Sequence, residues 1–503
     1  MYVLGVDVGT TGTKAMIVDD NGRIAASAYQ GYPLITAGEG FVEQNAEDWW
    51  DAFVSTSRQC ISKIEDRHNI IALSISSQGA SMVPVDKNNL PLCNAMVWMD
   101  SRGNGVKDEM LKSRAEEWFY NRTGWKLLPG LCTVKIRWLS ENRPDIFNNT
   151  CKYLTTMDYI NFKLTGRYAI DPTNASITQL MNTTRKKWDT DILAFLDIGS
   201  DKLPELLPTG SVVGKLTENA AGILGLDINT AVINGGHDQY CAAIGAGAFN
   251  NGDIILSTGT AWVVLAISDK LDFDEVTNIS IGPHTIEGLW GALTSIPTAG
   301  LAMEWFREKL GLRISDQGAL EAETFRDIDI KAGGRLDSAR NLLFYPCFSG
   351  RGFPNWSQKS RASLLGLSLE HDCYDIARAI MEGVAFEMKY VLEGYKKSGY
   401  AVNSLRIMGG ATRSDLWMDI IANTVECSAI RFKEPNIACL GAAIIAGAAS
   451  GVFKDFADGF RKVNGDELAC PVKQPVKAAY LEKYEQYKKG MGYADSFYNS
   501  RVD

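Results

Sequence analysis

Residues 2–18 read YVLGVDVGTTGTKAMIV. Two apolar, β-prone stretches flank a short Gly/Thr segment, a pattern that predicts two antiparallel strands joined by a tight tip. The chain then turns through DDNG and continues as RIAASAY, so we expect a meander over the first thirty residues. Further along, the pattern recurs as DIILS, TGT and AWVVLAIS, from residue 253 to residue 268. The second hairpin suggests that the chain consists of two halves of related α/β architecture.

The Gly/Thr tips have the composition of phosphate-binding loops. Glycine lets the backbone come close to a ligand, so that several amide N–H groups can point into one concavity. Asp7 stands next to the first tip, and a carboxylate beside bound phosphates is repulsive unless a cation lies between them. We therefore expect Mg²⁺ there, held by Asp7 through water. The tip Ser257–Thr260 would be a second phosphate clamp; the alternative is that both tips are ordinary β-turns.

A third segment, NGGHDQYCAAIGAG at 234–247, places an acid at a strand end. Asp238 follows an apolar strand and two glycines, and it enters a helix of small residues. There it can accept a proton from a substrate hydroxyl group. An aspartate with an ordinary pKa of about 3.9 is a strong enough base for this step. Phosphoryl transfer has a loose transition state, so the proton moves late. The alternative is that Asp238 caps the helix.

Composition narrows the class of protein. With 503 residues, 46% of them hydrophobic and 22% charged, the chain is expected to fold into two or three globular domains. It has 51 Lys and Arg against 60 Asp and Glu, a net charge of −9. Because an acidic chain is repelled by phosphates, we expect no nucleic-acid partner and no anionic membrane partner.

Several common motifs are absent from the sequence. It contains no GxxxxGK[ST] loop, no GxGxxG after a strand, no HExxH and no GxSxG. Its ten cysteines form no CxxC pair, which is typical of reduced thiols, and its four histidines are far apart. The N-terminus enters a strand at once, without a signal-peptide pattern. We therefore expect a cytoplasmic enzyme. If it binds a nucleotide, it does so without a Walker or Rossmann loop.

Other segments indicate the organisation of the chain. Helices are predicted over 45–64, capped by Asn45, and over 375–396, capped by Asp375. Residues 404–425 are expected to run from a strand through a Gly-Gly turn into a helix. A boundary near 245–252 predicts domains at 1–247 and 248–503. The small-residue segments 242–248 and 441–449 are candidate hinges, or simply closely packed helices.

Taken together, these segments resemble the FGGY carbohydrate kinase family of the actin/hexokinase-like superfamily, from residue 3 to about residue 450. The family's first and second phosphate segments correspond to GVDVGTTGTK and LSTGTA. Its catalytic-aspartate segment corresponds to NGGHDQ and its adenosine segment to IMGGATRSDLW, and all four occur in the family order. Cys132 departs from the usual Ser, Thr or Pro before KIRWLSEN. Further matches are VWMDSR (97–102), KIRWLSEN (135–142), DPTNAS (171–176) and ASLLGLSLEHDCYDIARAIME (362–382).

The resemblance implies two actin-like (ribonuclease H-like) α/β domains with an interdomain catalytic cleft. Sugar would bind mainly to the N-terminal domain and ATP mainly to the C-terminal domain. Asp238 would be the catalytic base, and Asp7 would act in catalysis by positioning Mg²⁺. The nucleotide would be held by Thr10, Thr11, Lys14, Thr258, Gly259, Thr260, Gly409, Gly410 and Asn423, and the substrate by Gln78, Gly79, Trp98, Asp100, Arg102, Asp238 and Gln239.

One departure bears on the substrate. After Gln78 the chain has Gly79, Ala80 and Ser81, whereas the family's xylulose kinases typically have Gln-Met-His-Gly and its glycerol kinases Gln-Arg-Glu-Thr. The smaller residues leave room for a bulkier sugar or an unusual polyol.

The leading hypothesis is an ATP-dependent kinase that acts on a primary hydroxyl group of a ketose or polyol, with a xylulose-like pentulose as the first candidate. Kinases of glycerol, ribulose, gluconate or erythritol type are alternatives. So are a non-catalytic sugar-sensing protein and an actin-like assembly protein. We expect a homodimer.

Overall fold

The computed structural model describes residues 1–274, 276–314, 320–337, 339–463 and 467–500. Over these residues the chain is an α/β protein whose two largest sheets each contain both parallel and antiparallel strand pairs. The predicted α/β fold class is thereby confirmed.

By compactness the chain divides into two units, each assembled from separate stretches of sequence. The functional roles predicted for 1–247 and 248–503 stay predictions. Unit 1 consists of Met1–Phe249, Ile267–Ala292 and Asn436–Gly465, and unit 2 of Asn250–Ala266, Leu293–Pro435 and Asp466–Asp503.

The described residues form twenty-six strands. They are β1 Tyr2–Val8, β2 Gly12–Asp19, β3 Ile24–Gly31, β4 Ile35–Gly38, β5 Phe41–Gln44, β6 Ile70–Ser77, β7 Met82–Val85, β8 Ala95–Met96, β9 Lys152–Thr155, β10 Ala169–Ile170, β11 Met181–Asn182, β12 Lys187–Trp188, β13 Glu205–Leu206, β14 Val212–Lys215, β15 Ala231–His237, β16 Asp253–Thr258, β17 Trp262–Ser268, β18 Ser280–Pro283, β19 Trp290–Ile296, β20 Leu312–Ile314, β21 Leu320–Ala322, β22 Leu343–Tyr345, β23 Ser363–Leu365, β24 Ser404–Gly409, β25 Ser428–Phe432 and β26 Glu467–Ala469.

The described residues also form seventeen α-helices, besides 3₁₀ turns at Arg67–Asn69, Ser200–Lys202 and Gly410–Arg413. They are α1 Ala46–Ile61, α2 Asn104–Ser113, α3 Glu116–Thr123, α4 Cys132–Asn142, α5 Pro144–Asn149, α6 Thr156–Thr165, α7 Pro172–Ile177, α8 Thr190–Phe195, α9 Glu218–Leu224, α10 Asp238–Gly245, α11 Ala299–Lys309, α12 Phe325–Gly333, α13 Cys373–Lys397, α14 Asp415–Thr424, α15 Ile437–Ala449, α16 Phe456–Val463 and α17 Gln474–Asn499.

The central sheet of unit 1 has the strand order β14-β15-β6-β1-β2-β3. β1 pairs antiparallel with β2, as the opening hairpin predicts, and parallel with β6, which in turn pairs parallel with β15. Strands β1 and β6 are almost wholly buried, as is usual for parallel strands covered on both faces.

The sheet of unit 2 repeats this arrangement. Its strands run in the order β19-β17-β16-β24-β25-β26, with β16 antiparallel to β17, parallel to β24, and β24 parallel to β25. The main sheet of each unit thus contains a hairpin, with parallel strands on the other side of the hairpin's first strand. The prediction of two halves with related architecture is confirmed.

Two predicted helix starts have different outcomes. Asn45 caps α1 as predicted, with its side chain accepting from the Glu47 N–H. The predicted cap Asp375 is wrong, because Asp372 is the N-cap of α13. Asp375 is the third helical residue, and its carboxylate accepts from the Asp372 N–H at 2.8 Å. Both acids form a capping box, so the helix begins three residues earlier than predicted.

The small-residue segments meet inside unit 1. An added Cβ on Gly441 of α15 would lie 1.8 Å from the Cys241 carbonyl oxygen of α10. A Cβ on Gly5 of β1 would lie 2.3 Å from the Cys439 carbonyl oxygen. Glycine is needed here because backbones approach closely. The predicted close contact is confirmed, and the hinge role stays a prediction.

All ten cysteines are free thiols, as expected. Within the part of the chain that the structure describes, no helix combines the length and apolar composition that a membrane span requires.

Candidate active site

Three predicted site residues lie at one edge of the unit 1 sheet. Asp7 is near the end of β1, Gln78 directly follows β6, and Asp238 directly follows β15. In the sheet register, Val8 and His237 both pair with Ser77. Because the three strands are parallel and adjacent, their carboxyl ends meet at this edge, where open α/β sheets bind ligands.

Asp7 is a buried carboxylate with few partners. Its Oδ1 accepts from Ser76 Oγ at 2.7 Å, and its Oδ2 lies 3.6 Å from Lys14 Nζ. Burial raises the pKa of Asp7; Lys14 opposes this shift, and the charge of Asp238 adds to it. The pKa of Lys14 is raised by Asp7. The charge of Asp238 thus acts on Asp7, in agreement with their positions at one sheet edge.

Asp238 does not cap its helix. His237 is the N-cap of α10, and its Nδ1 accepts from the Gln239 N–H at 3.3 Å. Asp238 Oδ1 lies 3.3 Å from the same nitrogen, but Nδ1 already acts as an acceptor and cannot donate to it. Among the described residues Oδ1 has no hydrogen-bond donor. The alternative that Asp238 is a capping residue is wrong, and its carboxylate is left available for a ligand.

The first tip is held by side chains from elsewhere in unit 1. Trp98 Nε1 donates to Thr10 Oγ1 at 2.9 Å, and Gln44 Nε2 donates to the Thr10 carbonyl at 2.6 Å. Thr11 is exposed. Trp98 has 47% of its surface exposed, so it is not a core residue. Its indole therefore remains open to a ligand beside the tip.

Asp100 and Arg102 bind each other. Arg102 Nη2 donates to Asp100 Oδ2 at 2.7 Å and to Glu43 Oε1 at 2.6 Å, and its guanidinium lies 3.8 Å from the centroid of the Phe41 ring. Asp100 also accepts from the Val42 N–H. The pair is buried, and Glu43 is a member of this cluster that the sequence did not reveal.

Gln44 is a second residue that sequence reasoning missed. It is fully buried, and its Oε1 accepts from both Gln78 Nε2 and Trp49 Nε1 at 3.0 Å. Gln78 is thereby oriented, while its own Oε1 has no partner among the described residues. A glutamine before a predicted helix gives no local signal of such a contact, because its partner is 34 positions away.

The loop after Gln78 is tied to α4 by a buried lysine. Lys135 Nζ donates to the carbonyls of Ala80 at 2.7 Å and Met96 at 2.9 Å, which join the loop 78–81 to the strand before Trp98. Its ammonium has no carboxylate within ion-pair distance in the described part of the chain. Burial lowers the pKa of Lys135 to about 8.

This lysine predicts a pH-dependent stability. The pKa of Lys135 is about 8 in the folded state and 10.5 in the unfolded state. Between pH 8 and pH 10.5 the unfolded state therefore binds more protons than the folded state. The free energy of unfolding of the wild type should therefore rise with pH across this window, relative to Lys135→Met, by up to about 3 kcal/mol. Urea unfolding midpoints at pH 7.5 and 9.5 measure the difference. The exposed Lys87→Met is the matched control, and equal pH slopes for wild type and Lys135→Met would contradict the prediction.

Unit 2 contains a cavity of about 1120 Å³ at the corresponding sheet edge. The predicted residues Thr258, Gly259, Thr260 and Gly410 line it. The Thr260 carbonyl accepts from the Gly300 and Leu301 N–H groups at 3.0 Å, so the tip also holds the first turn of α11.

Thr258 and Gly409 join the tip to β24. Thr258 Oγ1 donates to the Met408 carbonyl at 2.6 Å and accepts from the Ala411 N–H at 3.1 Å. Its hydroxyl is therefore occupied, and backbone N–H groups of the exposed residues Gly259 and Thr260 are the donors open to a phosphate. Gly409 has a φ of +95°, and an added Cβ would lie 2.6 Å from the Thr258 carbonyl oxygen.

The cavity also has an apolar rim that the sequence did not indicate. Leu301, Phe325 and Ile330 line it and are 41%, 47% and 69% exposed. Large exposed apolar side chains beside a cavity suit a planar apolar ligand such as a base. The predicted Asn423 is not among the lining residues. It is buried, and its amide binds the Asp419 carbonyl and the Lys473 N–H.

The residues at the sheet edge of unit 1 are chemically compatible with Mg²⁺, and the metal itself stays a prediction. No group of three or more His, Cys, Asp or Glu that could hold a metal ion occurs among the described residues. Mg²⁺ does not need one, since it is usually bound by one or two carboxylates, waters and substrate phosphates. Asp7, buried at this sheet edge, would supply such a carboxylate.

Comparison with known protein families gives matches over most of the chain. The FGGY family of carbohydrate kinases matches with its N-terminal domain model over residues 2–245 and with its C-terminal domain model over 254–450.

Curated relatives include a xylulose kinase and a gluconokinase of Bacillus subtilis and a glycerol kinase of Saccharolobus islandicus. The xylulose kinase is 29% identical, with 97% of this chain and 96% of the relative covered. The gluconokinase is 29% identical, with 90% and 89% covered. The glycerol kinase is 30% identical, with 98% and 97% covered.

Two solved structures from Lactobacillus acidophilus, a ligand-bound xylulose kinase and a gluconate kinase, superpose with a TM-score of 0.90 each. Each is 26% identical, with 99% of both chains covered. Proteins named for three different substrates are thus about equally similar to this chain.

Proposed function

Since this chain belongs to the FGGY family of carbohydrate kinases, we propose that it transfers the γ-phosphate of ATP to a primary hydroxyl group of a ketose or polyol, with a xylulose-like pentulose as the first candidate. It is an ATP-dependent sugar kinase. The single observation that carries the acceptor side of the proposal is the unpartnered Oδ1 of Asp238, at the same sheet edge as Asp7.

On the acceptor side, Asp238 would take the proton of the attacking hydroxyl group as phosphate transfer proceeds. Its carboxylate has the free oxygen for this, and general-base assistance contributes on the order of 10²–10⁴ in rate. The buried Gln78 Oε1 would accept from a second hydroxyl group of the substrate. Trp98, half exposed beside Thr10, would pack against a carbon face of the sugar.

On the nucleotide side, ATP would bind in the unit 2 cavity. The Gly259 and Thr260 backbone would donate to its phosphates, as glycine-rich turns do. The adenine ring would lie against Leu301, Phe325 and Ile330. Mg²⁺, held at Asp7, would balance the negative charge of the transferring phosphate.

The substrate is tested by ADP release with Mg-ATP over D-xylulose, D-ribulose, D-gluconate, glycerol and erythritol, with mass spectrometry of each product. We expect D-xylulose to have the highest kcat/KM. If D-gluconate or glycerol does, the pentulose assignment is wrong. ADP release that no compound raises above the sugar-free rate would overturn the kinase proposal itself.

Asp7→Asn should separate activity from stability. Burial raises the pKa of Asp7, so the folded carboxyl holds its proton more tightly than the unfolded one. Ionisation of Asp7 above about pH 4 therefore lowers the free energy of unfolding. At pH 7.5 we expect an unchanged or higher Tm, because asparagine can still accept from Ser76, and a kcat at least tenfold lower. A large drop in Tm would instead identify Asp7 as a structural residue.

The cytoplasmic location and the homodimer stay predictions.

A further inference from the structure

His237 immediately precedes the proposed base and is held from two sides. Its backbone N–H donates to Thr173 Oγ1 at 2.8 Å, and Thr173 in turn is fixed by Asp171, both in the DPTNAS segment. Its Nδ1 accepts from the Gln239 N–H. Because Nδ1 is an acceptor, the neutral imidazole carries its proton on Nε2.

The Nε2–H donor has no partner in the described part of the chain. His237 is only 6% exposed, and buried donors of this kind are normally satisfied. The ring meets Tyr240 edge-on at 6.0 Å, a contact that uses no polar atom. The capping role of His237 thus accounts for Nδ1 but leaves Nε2 unexplained.

Gly79 shows where this nitrogen lies. An added Cβ on Gly79 would be 2.7 Å from His237 Nε2 and 2.5 Å from its Cδ2. The absence of a side chain at position 79 therefore makes room for the imidazole beside the loop that follows Gln78.

Three unsatisfied polar atoms consequently occur on consecutive or neighbouring residues of this sheet edge. Two of them are buried acceptors, Asp238 Oδ1 and Gln78 Oε1. The third is the donor His237 Nε2, which takes part in neither hydrogen bond of its residue. A metal site is a poor explanation, since His237 belongs to no group of three metal-binding side chains among the described residues. Alternating donors and acceptors are what a polyhydroxyl ligand requires.

We infer that His237 determines substrate specificity by donating its Nε2–H to the oxygen on the carbon next to the phosphorylated hydroxyl group. The inference rests on the proposed function and deepens it. His237 and Asp238 are adjacent and their side chains are in contact at 3.3 Å, so they reach neighbouring oxygens of one substrate. The enzyme then selects alcohols with a hydroxyl or keto oxygen at that carbon and rejects those without one.

Two substitutions separate this role from the capping role. His237→Asn keeps a good N-cap acceptor but is too short to place a donor where Nε2 lies. His237→Gln places an amide N–H near the Nε2 position but caps the helix poorly. The first removes the donor and the second removes the cap.

The experiment compares matched substrates that differ only at the neighbouring carbon. The pairs are glycerol and propane-1,3-diol, D-xylulose and its 4-deoxy analogue, and D-gluconate and its 5-deoxy analogue. For the pair that the wild type uses, we expect kcat/KM to favour the oxygenated member by about tenfold or more, since the deoxy compound leaves a buried donor unpaired.

His237→Asn should reduce this ratio to about twofold or less, raising KM for the oxygenated compound while KM for ATP stays unchanged. His237→Gln should keep most of the ratio despite a lower Tm. If His237→Asn keeps the wild-type ratio, or lowers kcat equally for both members, His237 is only a cap and the inference is wrong, while the kinase proposal stands. If the wild type releases ADP with none of the six compounds and with neither D-ribulose nor erythritol, the proposed function fails and the inference with it.

Discussion

Asp238→Asn is expected to lower kcat by a factor on the order of 10²–10⁴ while ATP binding is retained. The substitution preserves shape and removes only the ability to take a proton. The helix should be unaffected, because its cap is His237 rather than Asp238. The cavity that we assign to ATP is lined by residues of unit 2, so its affinity should not change.

The measurements are steady-state kcat with D-xylulose and calorimetric titration with ATP. Asp48→Asn is a suitable control, because Asp48 is likewise an acid in the first turn of a unit 1 helix. It should leave kcat within about twofold, as surface substitutions usually do. Near-normal turnover of Asp238→Asn would remove Asp238 from the role of base, whatever the substrate.

Gly409→Ala is expected to weaken ATP binding at least tenfold. A side chain at φ +95° is strained by roughly 1–2 kcal/mol. In addition, its Cβ would lie 2.6 Å from the Thr258 carbonyl oxygen and 2.9 Å from Thr258 Oγ1. Relief of this contact requires the second tip to move, and 1.4 kcal/mol of lost binding is already a tenfold change.

Gly399→Ala is the matched control. Gly399 also lies in unit 2 and has a φ of +83°, but nothing lies within 4 Å of its added Cβ. Both variants should lose stability from backbone strain, and only Gly409→Ala should lose ATP affinity. Thermal unfolding and ATP titration of the two proteins test this. Equal ATP affinities would show that the tip tolerates displacement, and would contradict the assigned phosphate contact.

Local patterns in the sequence were sufficient to predict the backbone structure around both sites. The opening hairpin, the second hairpin and the strand that delivers Asp238 to the start of α10 are all present as predicted. These predictions succeed because hydrophobic alternation and Gly/Thr tips act over a few residues. The same patterns carried the resemblance to the FGGY family, which the family models confirm.

Contacts between side chains that are distant along the chain could not be predicted from the sequence. Nothing local says that Gln44 orients Gln78, that Glu43 joins Arg102, or that Asn423 faces Lys473 rather than the cavity. The cap of α10 was also not found from the sequence, which offered Asp238 as the alternative, whereas His237 is the N-cap.

The sequence by itself thus determined which strands and tips form and which acids stand at their ends. Only the tertiary structure decided which of those side chains are already satisfied and which are left for a ligand, as with Asp238 Oδ1 and Gln78 Oε1. The physical reason is that backbone conformation depends on near neighbours along the chain. The satisfaction of a buried polar atom instead depends on sheet register and packing, which bring together residues up to hundreds of positions apart.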